Sequence, residues 1–163
     1  MVSRTKEVKS QHFNALVIVG TGRSTSGVLV KFAGGAISWM SQRQTIVATS
    51  TTEAELIAAL EASKEVIWLK RLYAKTIGFN QVPVLYVDNS AEVRLAQNPE
   101  FHKRTKHITL KHFFVREKVN EGQLEVQQIS TQQQLADLMT KPMQQTRLKM
   151  LCNQIGLTIT NIT

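Results

Sequence analysis

The stretch Gly27-Val-Leu-Val-Lys-Phe-Ala-Gly-Gly-Ala-Ile-Ser-Trp-Met40 decides the fold class. Its halves, Gly27–Ala33 and Ala36–Met40, are rich in β-branched and aromatic residues, and Gly34-Gly35 between them is typical of a tight hairpin turn. A further β-rich run, Ala15–Val19, precedes the hairpin. Three consecutive strands joined by short turns predict an antiparallel meander.

Helices and further strands follow this meander. Residues Thr51 to Ile77 place apolar side chains at helical spacing, and Gly78 ends the predicted helix. The apolar run Val82–Val87 is typical of a buried strand entered through a proline. The remaining predicted elements are a short helix to about Gln97, a helix His107–Val119, a strand Gln123–Ile129, a helix from Thr131 to about Lys141 and a weak helix before Gly156. This order predicts an α/β fold with three antiparallel strands, then parallel strands, and helices on the sheet faces.

Composition limits the function classes. The chain has 163 residues and a net charge of +8, from 20 Lys and Arg against 12 Asp and Glu. A length of this kind suits one domain, and a basic surface favours a polyanion such as nucleic acid. Cys152 is the only cysteine, which excludes an internal disulfide and a cysteine-based zinc site and favours an intracellular location. No early apolar run is long enough for a membrane span, so no membrane partner is expected.

We expect three regions along the chain. Residues 1–13 are polar and basic and predict a poorly ordered leader. Residues 14–142 contain the predicted domain, and residues 143–163 a C-terminal helix and tail.

The two aspartates of the chain, Asp88 and Asp137, both lie at unusual places. Asp88 follows an apolar strand, where ligand sites of α/β sheets are found, but it also suits the N-cap of the next helix. Asp137 lies among apolar residues, where a carboxylate needs a partner such as a metal ion. The alternative is an exposed Asp137 that contacts Lys141, four residues on.

Glu53 lies in the first turn of the long helix. Ser50-Thr-Thr-Glu53 forms a capping box, and Thr52-Glu-Ala-Glu55 forms a second, so spacing does not decide which glutamate is spare. A helix-start Glu, a strand-end Asp and a helix Asp can converge on one sheet edge, where Mg²⁺ binds carboxylates. Two such ions about 3.5–4 Å apart activate a water and stabilise a leaving oxygen.

The densest positive stretch lies between His102 and Lys118. Lys and Arg neutralise phosphates without sequence preference, so this stretch predicts salt-sensitive nucleic-acid binding, with a solvated helix face as the alternative. Its three histidines recur every five residues and so do not share one helix face, which disfavours zinc. The predicted nucleic-acid-binding residues are Lys103, Arg104, Lys106, His107, Lys111 and Arg116.

Four aromatic side chains could stack on bases or pack in the core. Because each lies in an apolar pattern, we expect core packing. These residues are Trp39, Trp68, Phe113 and Phe114.

Several short motifs, taken together and in order, resemble the ribonuclease H domain of copia-type retrotransposon polyproteins. They lie within about residues 23–157 and include Arg23–Gly27, Gly34–Trp39, Ser50–Glu55, Tyr86–Ser90, Arg104–Ile108, Gln134–Asp137 and Thr140–Pro142. The resemblance implies a ribonuclease H-like mixed sheet and cleavage of the RNA strand of an RNA/DNA hybrid with Mg²⁺, or with Mn²⁺ as the substitute ion. It also implies the reverse transcriptase portion of the same polyprotein as a partner, in a cytoplasmic virus-like particle or in the nucleus.

The resemblance assigns the acids as well. In that family four carboxylates hold two Mg²⁺ ions; by motif, Glu53 is the second, Asp88 the third and Asp137 the fourth, with Glu55 as the fallback for Glu53.

The first carboxylate should be an aspartate about a dozen residues before Ser24. That position falls on His12-Phe-Asn14, which contains no acid. Asn14 is then either the remnant of an aspartate or part of a replaced segment, and Glu7 is not expected to substitute. Three of four acids remain.

Two main hypotheses follow. The first is a metal-dependent endonuclease for RNA/DNA hybrids. The second, which the missing acid favours, is an impaired remnant that folds and binds nucleic acid without cutting it. A structural module serving a polymerase and a polynucleotidyl transferase of the same fold are the further alternatives.

Overall fold

The computed structural model describes the backbone of residues 14–20, 24–48, 50–88 and 106–157, and the side chains of residues 24–48, 50–88 and 113–157. The predicted leader, the short helix before Gln97, Lys103, Arg104 and the end of the tail lie outside these ranges. The elements are β1 (Asn14–Gly20), β2 (Thr25–Phe32), β3 (Gly35–Arg43), α1 (Thr51–Ile77), β4 (Val84–Val87), α2 (Lys106–Asn120), β5 (Glu125–Gln128), a 3₁₀ turn (Thr131–Gln133), α3 (Asp137–Thr140) and α4 (Gln145–Gln154).

These strands form one mixed sheet in the order β3-β2-β1-β4-β5. The pairs β1–β2 and β2–β3 are antiparallel, and the pairs β1–β4 and β4–β5 are parallel. The β2–β3 hairpin turns through Ala33 and Gly34, which have φ of 50° and 87°. Positive φ at both central residues matches the twist of a two-residue hairpin. The predicted meander followed by parallel strands is therefore confirmed.

Helix α1 begins and ends as its sequence predicts. The Ser50 side chain accepts a hydrogen bond from the Glu53 N–H at 3.1 Å, and Gly78 adopts the left-handed conformation that closes the helix. Glu53 is thus held at a fixed position in the first turn, which matters for the site described below.

Two apolar clusters pack on the two faces of the sheet. Even-numbered β2 residues such as Val28 and Val30 pack with α1 and α2, whereas Leu29 packs with Leu135, Leu151 and other residues around α3 and α4. Because successive side chains of β2 point to opposite faces of the sheet, this strand contributes to both clusters. Because Leu151 is fully buried in the second cluster, α4 belongs to the same packed unit as the residues before 142.

The helix predicted from Thr131 to Lys141 is wrong in its extent. The chain forms only the 3₁₀ turn there, then a bend, then the four residues of α3. Gln134, Leu135, Ala136 and Asp137 are consecutive and all buried. A helix lying on a sheet buries only a stripe, so four buried residues in a row favour an irregular path.

The expected core packing of aromatic residues is wrong for both tryptophans. Trp39 is 66% exposed on the edge strand β3, and Trp68 is 57% exposed on α1. The apolar pattern of α1 is wider than the stripe that contacts the sheet. Phe113 is also exposed, and Phe114 packs against the first cluster. None of the helices in the described ranges is long and apolar enough to span a membrane.

Candidate functional site

Asp88 lies immediately after β4, half-buried at the carboxyl end of the strand. Burial raises the pKa of this carboxyl, whereas a hydrogen bond from its own backbone and the charge of Lys141 lower it and the charge of Asp137 raises it. The charges that act on Asp88 therefore come from the first residue of α3 and from the residue after its end, more than 40 residues later in the sequence. The sequence prediction that Asp88 and Asp137 approach each other agrees with this coupling.

Strand register shows which residues lie level with Asp88. The parallel β1–β4 pairs are Asn14 with Val84, Ala15 with Leu85 and Leu16 with Tyr86. Continued by two residues, this register brings the backbone of Ile18 level with Asp88. Ile18 in turn pairs with Gly27 of β2.

Asn14, the described residue of the stretch where the first carboxylate is expected, therefore does not lie level with Asp88. Asn14 lies four residues before Ile18 in β1, which is roughly 13 Å along a strand. The strand position that lies level with Asp88 carries isoleucine, which cannot bind a cation.

Gly27 lets α3 pack closely against β2. A Cβ atom at position 27 would lie 2.6 Å from Thr140 Cγ2 and 3.1 Å from both Ala136 O and Met139 Cβ. The Ser41 hydroxyl also donates to the Met139 carbonyl at 2.6 Å, which fastens α3 to β3. Glycine at this position thus brings Asp137 onto the same end of the sheet as Asp88.

Asp137 is almost completely buried, with 3% of its surface exposed. Its Oδ1 lies 2.9 Å from Lys141 Nζ, an ion pair without hydrogen-bond geometry, and its Oδ2 accepts a hydrogen bond from Arg147 Nη2 at 2.9 Å. The contact with Lys141, one of the two alternatives from the sequence, is confirmed, and the exposure expected with it is wrong. Sequence reasoning missed Arg147, because no local spacing connects residues ten apart on different helices.

Glu53 is buried at the same end of the sheet. The Gln44 side-chain amide donates to Ala54 O at 2.7 Å and to Ser26 Oγ at 3.0 Å, so it holds the first turn of α1 against β2. Ser26 and Gly27 are consecutive in β2 and face opposite sides of the sheet. The turn that carries Glu53 is therefore held on one face, and Asp137 lies over the other.

The donor set does not fit a pair of divalent ions. In residues 24–48, 50–88 and 113–157, no three His, Cys, Asp or Glu side chains are gathered closely enough to hold a metal ion. Both oxygens of Asp137 contact cationic side chains. The β1 position level with Asp88 carries no acid.

Of the predicted nucleic-acid-binding residues, Arg116 has a described side chain. Its guanidinium lies 4.8 Å from the ring centroid of the exposed Phe113. Lys64 and Lys118 lie 6.0 and 5.7 Å from the ring of Phe114. The helix α2 contains three further residues of this set, Lys106, His107 and Lys111. A planar cation stacked on an aromatic ring presents both charge and flat surface to a nucleic acid.

Comparison with known proteins identifies the lineage, although no protein-family model matches the chain. The chain is 42% identical over 136 residues to the retrovirus-related Pol polyprotein of transposon TNT 1-94 from Nicotiana tabacum, which covers 83% of this chain and 10% of the relative. It is 39% identical over 136 residues to the corresponding polyprotein of transposon RE1 from Arabidopsis thaliana, again 83% of this chain and 9% of the relative. The chain thus spans about a tenth of the polyproteins that it matches.

Solved structures give the fold. LC11-RNase H1, isolated from compost by a metagenomic approach, superposes with a TM-score of 0.59 at 17% identity, covering 77% of this chain and 89% of that protein. The same enzyme in complex with an RNA/DNA hybrid gives a TM-score of 0.56, covering 77% of this chain and 88% of that protein. The fold suggests dependence on a divalent metal cation, a general property that the donor set among the described side chains does not match. The chain is a retrotransposon-derived ribonuclease H-like domain, homologous to a segment of copia-type Pol polyproteins.

Proposed function

We propose that this domain binds RNA/DNA hybrids as part of a Pol polyprotein, next to the reverse transcriptase portion of the same polyprotein. The observation that carries the proposal is the homology to Pol polyproteins over a segment with the ribonuclease H fold. The solved complex of LC11-RNase H1 with a hybrid shows that a domain of this fold accommodates that ligand. An intracellular setting, in a cytoplasmic virus-like particle or in the nucleus, is part of the proposal.

The charge of the chain supports a nucleic-acid ligand. A net charge of +8 attracts phosphates, and counterion release makes such binding salt-dependent. Arg116, stacked on the exposed Phe113, offers a contact of the required kind. The sequence also predicts nucleic-acid binding for the basic residues from Lys103 to Lys111.

We further propose that cleavage of the RNA strand with Mg²⁺ or Mn²⁺ is impaired in this chain. Continuing the β1–β4 register by two residues puts Ile18, which is not an acid, level with Asp88, and Asp137 is engaged by Lys141 and Arg147. Glu53, Asp88 and Asp137 remain the residues that we propose for any residual catalysis. A site short of one carboxylate loses part of the charge that holds two metal ions.

Hybrid binding is tested by fluorescence anisotropy with a labelled RNA/DNA hybrid, double-stranded DNA of the same sequence and single-stranded RNA. We expect the hybrid to bind best and its affinity to fall as salt rises. Arg116→Gln should weaken hybrid binding and reduce the slope of log affinity against log salt by about 1. The matched control is Lys75→Gln, which removes a charge of the same sign in the last turn of another helix, α1. Equal affinity for all three nucleic acids would overturn the proposal.

Cleavage is tested on the same hybrid in Mg²⁺ and in Mn²⁺. We expect little or no cleavage by the natural chain, and a gain of cleavage in Ile18→Asp that the added substitution Asp88→Asn removes. Asn14→Asp, at the other end of β1, should gain nothing. Efficient cleavage by the natural chain that Asp88→Asn abolishes would show that the site works without a first aspartate.

A further inference from the structure

Asp137 belongs to a network of contacts that connects three segments of the chain. Lys141, just after α3, contacts Oδ1, and Arg147 of α4 contacts Oδ2, each at 2.9 Å. The same Nη2 atom of Arg147 donates to the carbonyl of Thr131 in the 3₁₀ turn at 3.4 Å. Arg147 thus connects α4 to α3 through the Asp137 carboxylate and to the 3₁₀ turn through Thr131 O. We refer to Asp137, Lys141 and Arg147 as the Asp137 cluster.

We infer that the Asp137 cluster is a structural ion-pair network that fixes α4 to α3, in which Lys141 and Arg147 hold the charge of the acids in place of a divalent metal ion. The proposal goes beyond hybrid binding and does not depend on it.

The charges of the site support this inference. Lys141 pairs with Asp137, and its charge also lowers the pKa of Asp88, although burial raises that pKa more. Lys141 and Arg147 bring two positive charges to the buried Asp137, each 2.9 Å from one of its carboxylate oxygens. A single divalent cation would bring the same +2 that Lys141 and Arg147 already supply. An ion that bound Asp137 would therefore have to displace at least one of the two side chains.

Burial makes this displacement costly. Asp137 is 3% exposed, and breaking one partner of a buried carboxylate leaves charge without compensation. Moving Arg147 would also remove its hydrogen bond to Thr131 O. By contrast, the Lys141 and Arg147 side chains remain partly exposed, at 39% and 41%, so solvent screens their outer sides. We therefore expect the loss of Asp137 to lower the stability of the fold more than the loss of Lys141 or Arg147.

A double-mutant cycle tests the structural half of the inference. Urea unfolding of the full chain, in EDTA, is compared for the natural chain, Asp137→Asn, Arg147→Gln and the double variant. We expect each single substitution to lower the midpoint and the double variant to unfold close to Asp137→Asn alone, because both remove one interaction. Lys149→Gln, on the exposed side of the same helix, is the control and should leave the midpoint unchanged. Fully additive losses would overturn the network.

Metal titration tests the other half without any nucleic acid. The melting temperature of the natural chain should not rise with Mg²⁺ or Mn²⁺, whereas Lys141→Gln combined with Arg147→Gln should gain a saturable rise with Mn²⁺ that Asp88→Asn abolishes. A saturable rise in the natural chain that Asp137→Asn abolishes would make Asp137 a metal ligand and overturn the inference. No gain in the Lys141 and Arg147 double variant would overturn it too.

If Asp137→Asn does not fold, Mn²⁺ binding to the natural chain, followed by electron paramagnetic resonance, shows instead whether the natural chain binds the ion. Since these experiments contain no hybrid, their failure and the failure of the proposed function are separate outcomes.

Discussion

The surroundings of Asp88 favour the protonated, neutral form of its carboxyl. Burial is the largest influence and raises its pKa above the ordinary value of 3.8, despite the charge of Lys141. A carboxyl with a raised folded-state pKa binds its proton more tightly in the folded chain. Folding stability therefore falls as the pH rises from the unfolded pKa through the folded pKa, and it stays lowered above both.

Asp88→Asn should consequently stabilise the chain at neutral pH. We expect a melting temperature higher by roughly 1–3 °C, with the difference shrinking towards zero as the pH falls below the ordinary carboxyl range. Thermal unfolding of both chains across a pH series, without metal, measures this. A lower melting temperature for the asparagine variant at neutral pH would mean that Lys141 favours the ionised carboxylate more than burial disfavours it.

At this scale the sequence predicts where the acids lie and the contact of Asp137 with Lys141, four residues on, but not the contact with Arg147. The strand end places Asp88, and the capping pattern places Glu53, because both depend on neighbours along the chain. The pairing of Asp137 with Arg147 depends on how α3 and α4 pack, which local spacing does not contain. The misplacement of the first acid has the same origin: counting residues pointed to Asn14, whereas pairing between β1 and β4 sets the level of Ile18.

Among the elements, α3 depends most on a single residue of another element. Gly27→Ala would put a methyl group 2.6 Å from Thr140 Cγ2 and 3.1 Å from a backbone carbonyl, so α3 must shift. We expect a loss of about 1–3 kcal/mol in the free energy of unfolding, measured by urea denaturation. Gly35→Ala is the matched control: nothing lies within 4 Å of its added Cβ, and the position is extended in β3. A similar loss in both variants would show that the close approach of α3 is not the cause.

Elements with a strong periodic pattern and recognisable caps could be predicted, as α1 and the β2–β3 hairpin show. The segment from Thr131 to Thr140 could not. Its residues suit a helix locally, but burial of four consecutive side chains against β2 overrides that preference. Trp39 is exposed because β3 is an edge strand, which apolar composition does not reveal. Trp68 is exposed because the apolar pattern of α1 is wider than the stripe that contacts the sheet.

For the whole molecule, α4 is needed to complete the second apolar cluster. Its Leu151 is fully buried and the following Ile155 nearly so, and the Ile155 carbonyl accepts a hydrogen bond from Ala36 N at 3.1 Å. Each buried aliphatic side chain contributes about 2–5 kcal/mol, against a total stability of about 5–15 kcal/mol for a typical domain.

A chain truncated after Pro142 should therefore not fold cooperatively, although the sequence alone suggested a domain ending there. Circular dichroism during thermal unfolding measures this, and a chain truncated after Leu157 is the control because it keeps every contact described for α4. A cooperative transition in the shorter chain would show that the first cluster alone supports the fold.

The burial of Asp137 among its cationic neighbours has a consequence for how genomic copies of such retrotransposons accumulate mutations. Relaxed selection on catalysis would not free this position to vary, because folding itself disfavours its replacement. A library of variants screened only for solubility should retain Asp137 and Gly27 while position 18 drifts among apolar residues. A genomic copy can therefore keep Asp137, in the Gln134–Asp137 motif, long after it has ceased to cut RNA.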